Sequence, residues 1–126
     1  MVEVICDTNF LIHIANNRIK NISTLETEIG DVRFLVPDIV LAELEKLGHM
    51  EEKRQEINAT KQYIKSFKTI SLGGSYVDDS FISHVRKNGG VIATMDKDLK
   101  LAIKNVGGSV ISISNNKIIL ETRRSE

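Results

Sequence analysis

Carboxylates stand where several apolar runs of this chain end. Asp7 closes V-E-V-I-C, Asp78 and Asp79 precede S-F-I, and Asp96 and Asp98 follow V-I-A-T-M, while Glu43 lies inside D-I-V-L-A-E-L-E-K-L. Gathered in one place, Asp7, Glu43, Asp79 and Asp96 would repel one another, and without compensation some of their pKa values would rise. A divalent cation is the natural compensation, and oxygen ligands without His or Cys favour Mg²⁺ or Mn²⁺ over Zn²⁺. His13, His49 and His84 form no zinc-ligand pattern. Such ions can activate a water in line with a phosphodiester and stabilise the leaving oxygen, so hydrolysis needs no nucleophilic side chain. That agrees with the absence of a G-x-S-x-G elbow and with Cys6 lying inside an apolar run. G-G-S-Y at 73–76 lacks the Lys-Ser/Thr ending of a phosphate-binding loop.

Each carboxylate also has a local reading. Asp is a favoured helix N-cap, so Asp78 or Asp79, and Asp96, can satisfy free amides at a helix start, as can Asn9. Asp31 and Asp38 read as turn and cap residues, and Asp98 as a complement to the helix dipole. Capping does not account for Glu43, whose neighbours at three and four residues are Ile39, Val40, Lys46 and Leu47. Glu45, followed by Gly48 and His49, can point to water instead.

The elements that must position these groups alternate. Residues 2–6, 32–36, 69–72, 91–94 and 110–113 are short and rich in β-branched side chains, as buried strands are. Between them come helical patterns: one after Asp7, S-T-L-E-T-E-I-G at 23–30, one from Pro37 to Gly48, a charged stretch at 51–67 striped by Ile57, Ile64 and Phe67, and two at about 79–87 and 97–105. S-V-I-S-I-S-N-N-K-I-I-L-E reads as a hairpin around Asn-Asn. Alternating strands and helices predict an α/β sandwich, a mainly parallel sheet covered on both faces with an antiparallel C-terminal edge. Ligands of such sheets sit outside the carboxyl ends of the strands, where the winding direction reverses.

Composition sets the outer bounds. A chain of 126 residues is long enough for one core, so a single domain over residues 1–126 is expected. Lys plus Arg equals Asp plus Glu at 17 each, so any basic footprint for a polyanion must be local. Arg86, Lys87, Lys97, Lys100 and Lys104 fall on or near the helices that begin at the proposed site, and Lys53, Arg54, Lys61 and Lys65 on the charged stretch. Arg86, Lys97 and Lys100 are the candidate substrate contacts, and Tyr76 is the one aromatic placed to stack on a base. The lone Cys6 fits a reducing compartment. No apolar run is long enough for a membrane span and no secretory pattern opens the chain, so a cytoplasmic location is expected.

Taken together, C-D-T-N-F-L-I, V-P-D-I-V-L-A-E-L-E-K-L, V-D-D-S-F-I, V-I-A-T-M-D-K-D-L-K and G-G-S-V-I-S-I resemble the PIN-domain nucleases along almost the whole chain, most nearly the small archaeal VapC-like and ribosomal-RNA-processing-like branch. The resemblance implies a three-layer α/β/α fold with a five-stranded parallel sheet of order 3-2-1-4-5. It implies an endoribonuclease dependent on Mg²⁺ or Mn²⁺ that leaves 5′-phosphate and 3′-hydroxyl ends. The acidic quartet carried over by motif is Asp7, Glu43, Asp79 and Asp96, with Thr8, Asn9 and Thr94 as supporting polar groups. Within the Asp-Asp pair, helical spacing places Asp78 over Phe81, Ile82 and Val85, whereas the family pattern favours Asp79. Asp78 and Asp98 are therefore further possible ligands, Asp98 at the place of an extra acidic residue seen in some members. RNA is the implied substrate. An antitoxin, ribosome-assembly factors or a second copy, meeting through helices between residues 10 and 66, are the implied partners.

Two readings compete. An aspartate-dependent phosphatase also places Asp after its first strand, although its pattern wants a second Asp where Asn9 stands. A non-catalytic module that keeps the acidic pocket would bind RNA or protein without cutting.

Overall fold

The computed structural model describes residues 2–20, 31–74 and 76–121. In chain order these form β1 (Val2–Cys6), α1 (Thr8–Asn16), β2 (Val32–Pro37), α2 (Asp38–Gly48), a 3₁₀ turn (Glu51–Lys53), α3 (Arg54–Tyr63), β3 (Lys68–Ile70), α4 (Val77–Asn88), β4 (Val91–Ala93), α5 (Lys97–Asn105), β5 (Ser109–Ser114) and β6 (Lys117–Glu121). The helical pattern expected at 23–30 lies outside the described residues.

The strands join in one sheet of order β3-β2-β1-β4-β5-β6, parallel throughout except for the β5–β6 pair. The expected 3-2-1-4-5 order with an antiparallel C-terminal edge is present, and β6 makes the sheet six-stranded. From β1 the chain winds outward to β2 and β3, then returns past β1 to β4 and β5. Right-handed crossovers made in opposite directions put their helices on opposite faces. Accordingly α1 and α2 both pack on α3 as one layer, and α4 packs on α5 as the other. Val4, Cys6, Phe10, Leu11, Val40, Leu44, Ile57, Phe81, Ile92, Leu99, Ile103 and Ile111 are all but fully buried. Each of the larger aliphatic and aromatic side chains among them contributes roughly 1.5–3 kcal/mol of transfer free energy.

Several boundaries differ from the periodicity, each for a local reason. β3 ends at Ile70 rather than 72 because the Leu72 amide donates to the Asp38 carboxylate (3.3 Å) instead of a strand. The 51–67 stretch splits into a 3₁₀ turn and α3, with the Lys53 amide bonding back to the Met50 carbonyl at 3.0 Å. Pro37 is extended (φ −66°, ψ 146°) and stands just before α2 rather than in its first turn. α4 begins at Val77, two residues early, so Asp78 and Asp79 lie in its first turn and cap nothing. Asn115 and Asn116 both adopt positive φ (53° and 57°), the two-residue turn whose twist matches its strands. No described helix is long and apolar enough to cross a membrane.

Candidate functional site

The topological switch lies between β1 and β4, and there the first carboxylate is set. β1 pairs with β4 up to Cys6 beside Ala93, and the Asp7 amide extends the ladder by donating to the Ala93 carbonyl (2.8 Å). Asp7 is buried, 6% exposed. Its Oδ1 accepts from the Thr8 amide (2.8 Å) and its Oδ2 from the Thr94 hydroxyl (2.7 Å). The Thr94 Oγ1 in turn accepts from the Asp96 amide at 3.1 Å, so one hydroxyl ties the acidic groups at the ends of neighbouring strands. Asn9 closes the same loop, its Oδ1 accepting from the Met95 amide at 3.2 Å.

Asp96 caps α5, accepting through Oδ1 from the Asp98 and Leu99 amides (2.8 and 3.2 Å). It has this local role and faces the cleft as well. That cleft, about 320 Å³, is lined by Asp7, Thr8, Asn9, Ile12, Glu43, Leu47, Lys53, Val77, Asp78 and Asp96. Glu43 reaches it from the half-buried side of α2, while Glu45 points outward and pairs with Lys61 at 2.7 Å. A larger hollow of about 560 Å³ lies elsewhere, along β1–β3 and α4, and its one carboxylate, Glu3, already faces Arg33 at 3.7 Å. Size alone would choose that hollow, but the carboxylates gather in the smaller one.

Electrostatics link the acidic groups. Burial, and then the charges of Asp78 and Glu43, push the Asp7 carboxyl up to about 6, against the hydrogen bonds from Thr94 and Thr8. Asp78 is raised as well, first by burial and then by Asp96, Asp79, Glu43 and Asp98. Among the described residues no group of three His, Cys, Asp or Glu side chains is close enough to enclose an ion unaided. Mg²⁺ does not require one, because it commonly keeps several waters and takes one or two carboxylates plus substrate phosphate. Three observations suit such a cation: all the donors are hard oxygens, Asp7 is ionised only at a cost, and the buried Thr8 Oγ1 has no hydrogen-bond partner.

The placement sorts the sequence-derived candidates. Asp7, Glu43, Asp96, Thr8 and Asn9 line the cleft, and Thr94 stands directly behind Asp7. Of the Asp-Asp pair, Asp78 lines it and Asp79 does not, since on α4 the phase set by buried Phe81 and Val85 turns the first residue inward. Asp98 is exposed in the first turn of α5 and is not among the lining residues. The basic candidates do not line it either: Arg86 is in the last turn of α4, Lys97 is exposed, and Lys100 is bound to Glu121 at 3.2 Å. The cation that does line the cleft is Lys53, whose place on the charged stretch gave no hint of its direction. Cys6 is no nucleophile, for burial holds its thiol far above the usual range.

Comparison with known proteins bears on the family and the fold. A family model described as a PIN like domain matches residues 4–116. Ribonuclease VapC4 of Methanocaldococcus jannaschii is 28% identical over 108 residues, covering 79% of this chain and 81% of that protein. The rRNA-processing protein fcf1 of Schizosaccharomyces pombe is 31% identical over 122 residues, covering 94% of this chain; the chain spans only 62% of the length of that relative. The solved structure of the PIN domain endonuclease Utp24 superposes with a TM-score of 0.80 at 30% identity, covering 98% of this chain and 93% of that one. With its fold, its strand order and the match over residues 4–116 in agreement, the chain belongs to the PIN-like domain family.

Proposed function

We propose that the protein is an endoribonuclease that hydrolyses RNA phosphodiesters with Mg²⁺ or Mn²⁺. The observation that carries this reading is the gathering of Asp7, Glu43, Asp78 and Asp96 on one cleft at the switch point of a PIN-like fold. Asp7 and Asp96 would hold the ion directly or through water, with Glu43 and Asp78 completing its surroundings; Asp78 takes the part that the motif alone assigns to Asp79. When bound, such an ion polarises the phosphate and makes a water nucleophilic near neutral pH. Thr94 fixes the rotamer of Asp7, and Asn9 holds the loop that carries Asp96. The hydroxyl of Thr8, buried without a partner, is available to a water or phosphate oxygen in the cleft.

Relatives named for RNA processing and for endonuclease activity match more of this chain than the VapC ribonuclease does, which favours a processing nuclease over an antitoxin-controlled toxin. Ribosome-assembly factors would then be its partners.

The test is cleavage of a labelled RNA by the purified protein with Mg²⁺, with Mn²⁺ and with chelator, beside Asp7→Asn and Glu43→Gln. Cleavage that needs the divalent ion and falls at least about 100-fold in Asp7→Asn is expected. Equal cleavage by wild type and Asp7→Asn would refute the proposal.

A further inference from the structure

Among the described residues, the acidic cleft is lined by one lysine that makes no ion pair. Lys53 lines it together with Asp7, Glu43, Asp78 and Asp96 and is partly buried. The salt bridges among the described residues occupy Arg33, Lys61, Lys100 and Lys104, and none involves Lys53. Among the described residues no side-chain hydrogen bond holds its ammonium either. Its backbone is held in place: the 3₁₀ turn bonds its amide to the Met50 carbonyl (3.0 Å), and α3, which starts at the next residue, is packed against both α1 and α2.

Resting on the nuclease reading above, the geometry points to Lys53 as the residue that grips a substrate phosphate in this cleft. A phosphodiester entering a site of several carboxylates meets repulsion, which a bound divalent ion would offset in part. Lys53 supplies the one basic side chain among the lining residues, a fixed positive charge for the phosphate. Because lysine is a point charge on a flexible stem, it contributes attraction rather than bidentate geometry. Its effect therefore falls on binding, and it raises KM when lost while leaving kcat nearly unchanged.

The test compares wild type, Lys53→Met and Lys53→Arg with an unstructured labelled oligoribonucleotide. Binding is read in Ca²⁺ by fluorescence anisotropy across a salt series, and cleavage kinetics in Mn²⁺. Loss of one phosphate contact should flatten the slope of log K against log salt by about 0.7 and raise KM roughly tenfold in Lys53→Met. Lys53→Arg should restore most of both. A lysine that served only to relieve carboxylate repulsion would change the melting temperature and leave the salt slope untouched. Wild type that cuts RNA while Lys53→Met keeps slope and KM would overturn this inference alone. Wild type that binds with the Lys53-dependent slope but never cuts overturns the nuclease reading and keeps Lys53. No RNA binding by folded wild type overturns both. Should Lys53→Met fail to fold, Lys53→Gln replaces it under the same criteria.

Discussion

The Asp7 carboxyl is pulled in two directions, lowered by hydrogen bonds from Thr94 and Thr8 and raised further by burial and by its acidic neighbours. Its folded pKa of about 6 lies above the ordinary 3.8, so the folded protein binds this proton more tightly than the unfolded chain. The resulting stability is complete below about pH 4 and is lost as pH rises through about 6, on the order of 3 kcal/mol in all. Denaturant titrations without divalent ions should show wild type weakening across that window and Asp7→Asn keeping its stability. In the variant the amide can still accept from Thr8 and donate to the Thr94 oxygen. A parallel decline of both proteins would contradict the burial argument. Thr8 makes a related point, because an unpartnered buried hydroxyl costs about 1–3 kcal/mol. Thr8→Val should therefore stabilise the metal-free protein by about 1 kcal/mol while reducing cleavage. A destabilised Thr8→Val would mean that the hydroxyl has a partner after all.

At the scale of elements, α4 brings Asp78 to the cleft, and what sets α4 is a tether from α2. The exposed Asp38 carboxylate accepts from the Ile39 amide (2.8 Å), the Ser71 hydroxyl (3.1 Å) and the Leu72 amide (3.3 Å). The Leu72 amide is the leading reason why its pKa lies below the usual carboxylate range. Farther along, the Ser80 hydroxyl donates to the Gly73 and Tyr76 carbonyls at 2.7 and 2.9 Å, which binds the loop to the helix it enters. Asp38→Ala should lower kcat roughly tenfold by misplacing Asp78, and Asp38→Asn, which still accepts, should recover much of it. Unchanged kcat in Asp38→Ala would rule out the tether as a positioning device. Local sequence reads Asp38 as a cap, whereas Pro37 holds the N-cap position and Asp38 is the first residue of α2; its bond to Ser71 spans 33 residues and no pattern of neighbours can announce it. The start of α4 was hidden for a similar reason: its N-cap, Tyr76, makes no side-chain cap bond.

Across the whole molecule, the two helical layers and the sheet must meet closely enough to set the switch point. Gly108 marks one such approach, where a Cβ would lie 2.6 Å from Val85 Cγ1 and 2.7 Å from Ile103 Cγ2. Gly108→Ala should destabilise the fold by about 2 kcal/mol through overpacking, seen as a lower denaturation midpoint; a neutral result would mean that α4 and α5 yield easily. The resemblance to the PIN-domain nucleases implied the reversal beside β1, whereas the alternation of β-branched runs with helical stripes was enough to anticipate a parallel sheet and the strand ends where Asp7 and Asp96 stand. The last two features follow from periodicity and crossover handedness, which short stretches of chain carry within themselves. Helical spacing pointed to Asp78 and the family pattern to Asp79, and tertiary structure chose between them: of the two only Asp78 lines the cleft, since one residue on a helix is a rotation of about 100° and packing sets its phase. Only the assembled fold decided that Lys53 lines the carboxylate cleft while Lys100 is bound to Glu121. Side-chain direction across separate elements depends on how layers dock, and that information is held by the assembled core rather than by any local run of residues.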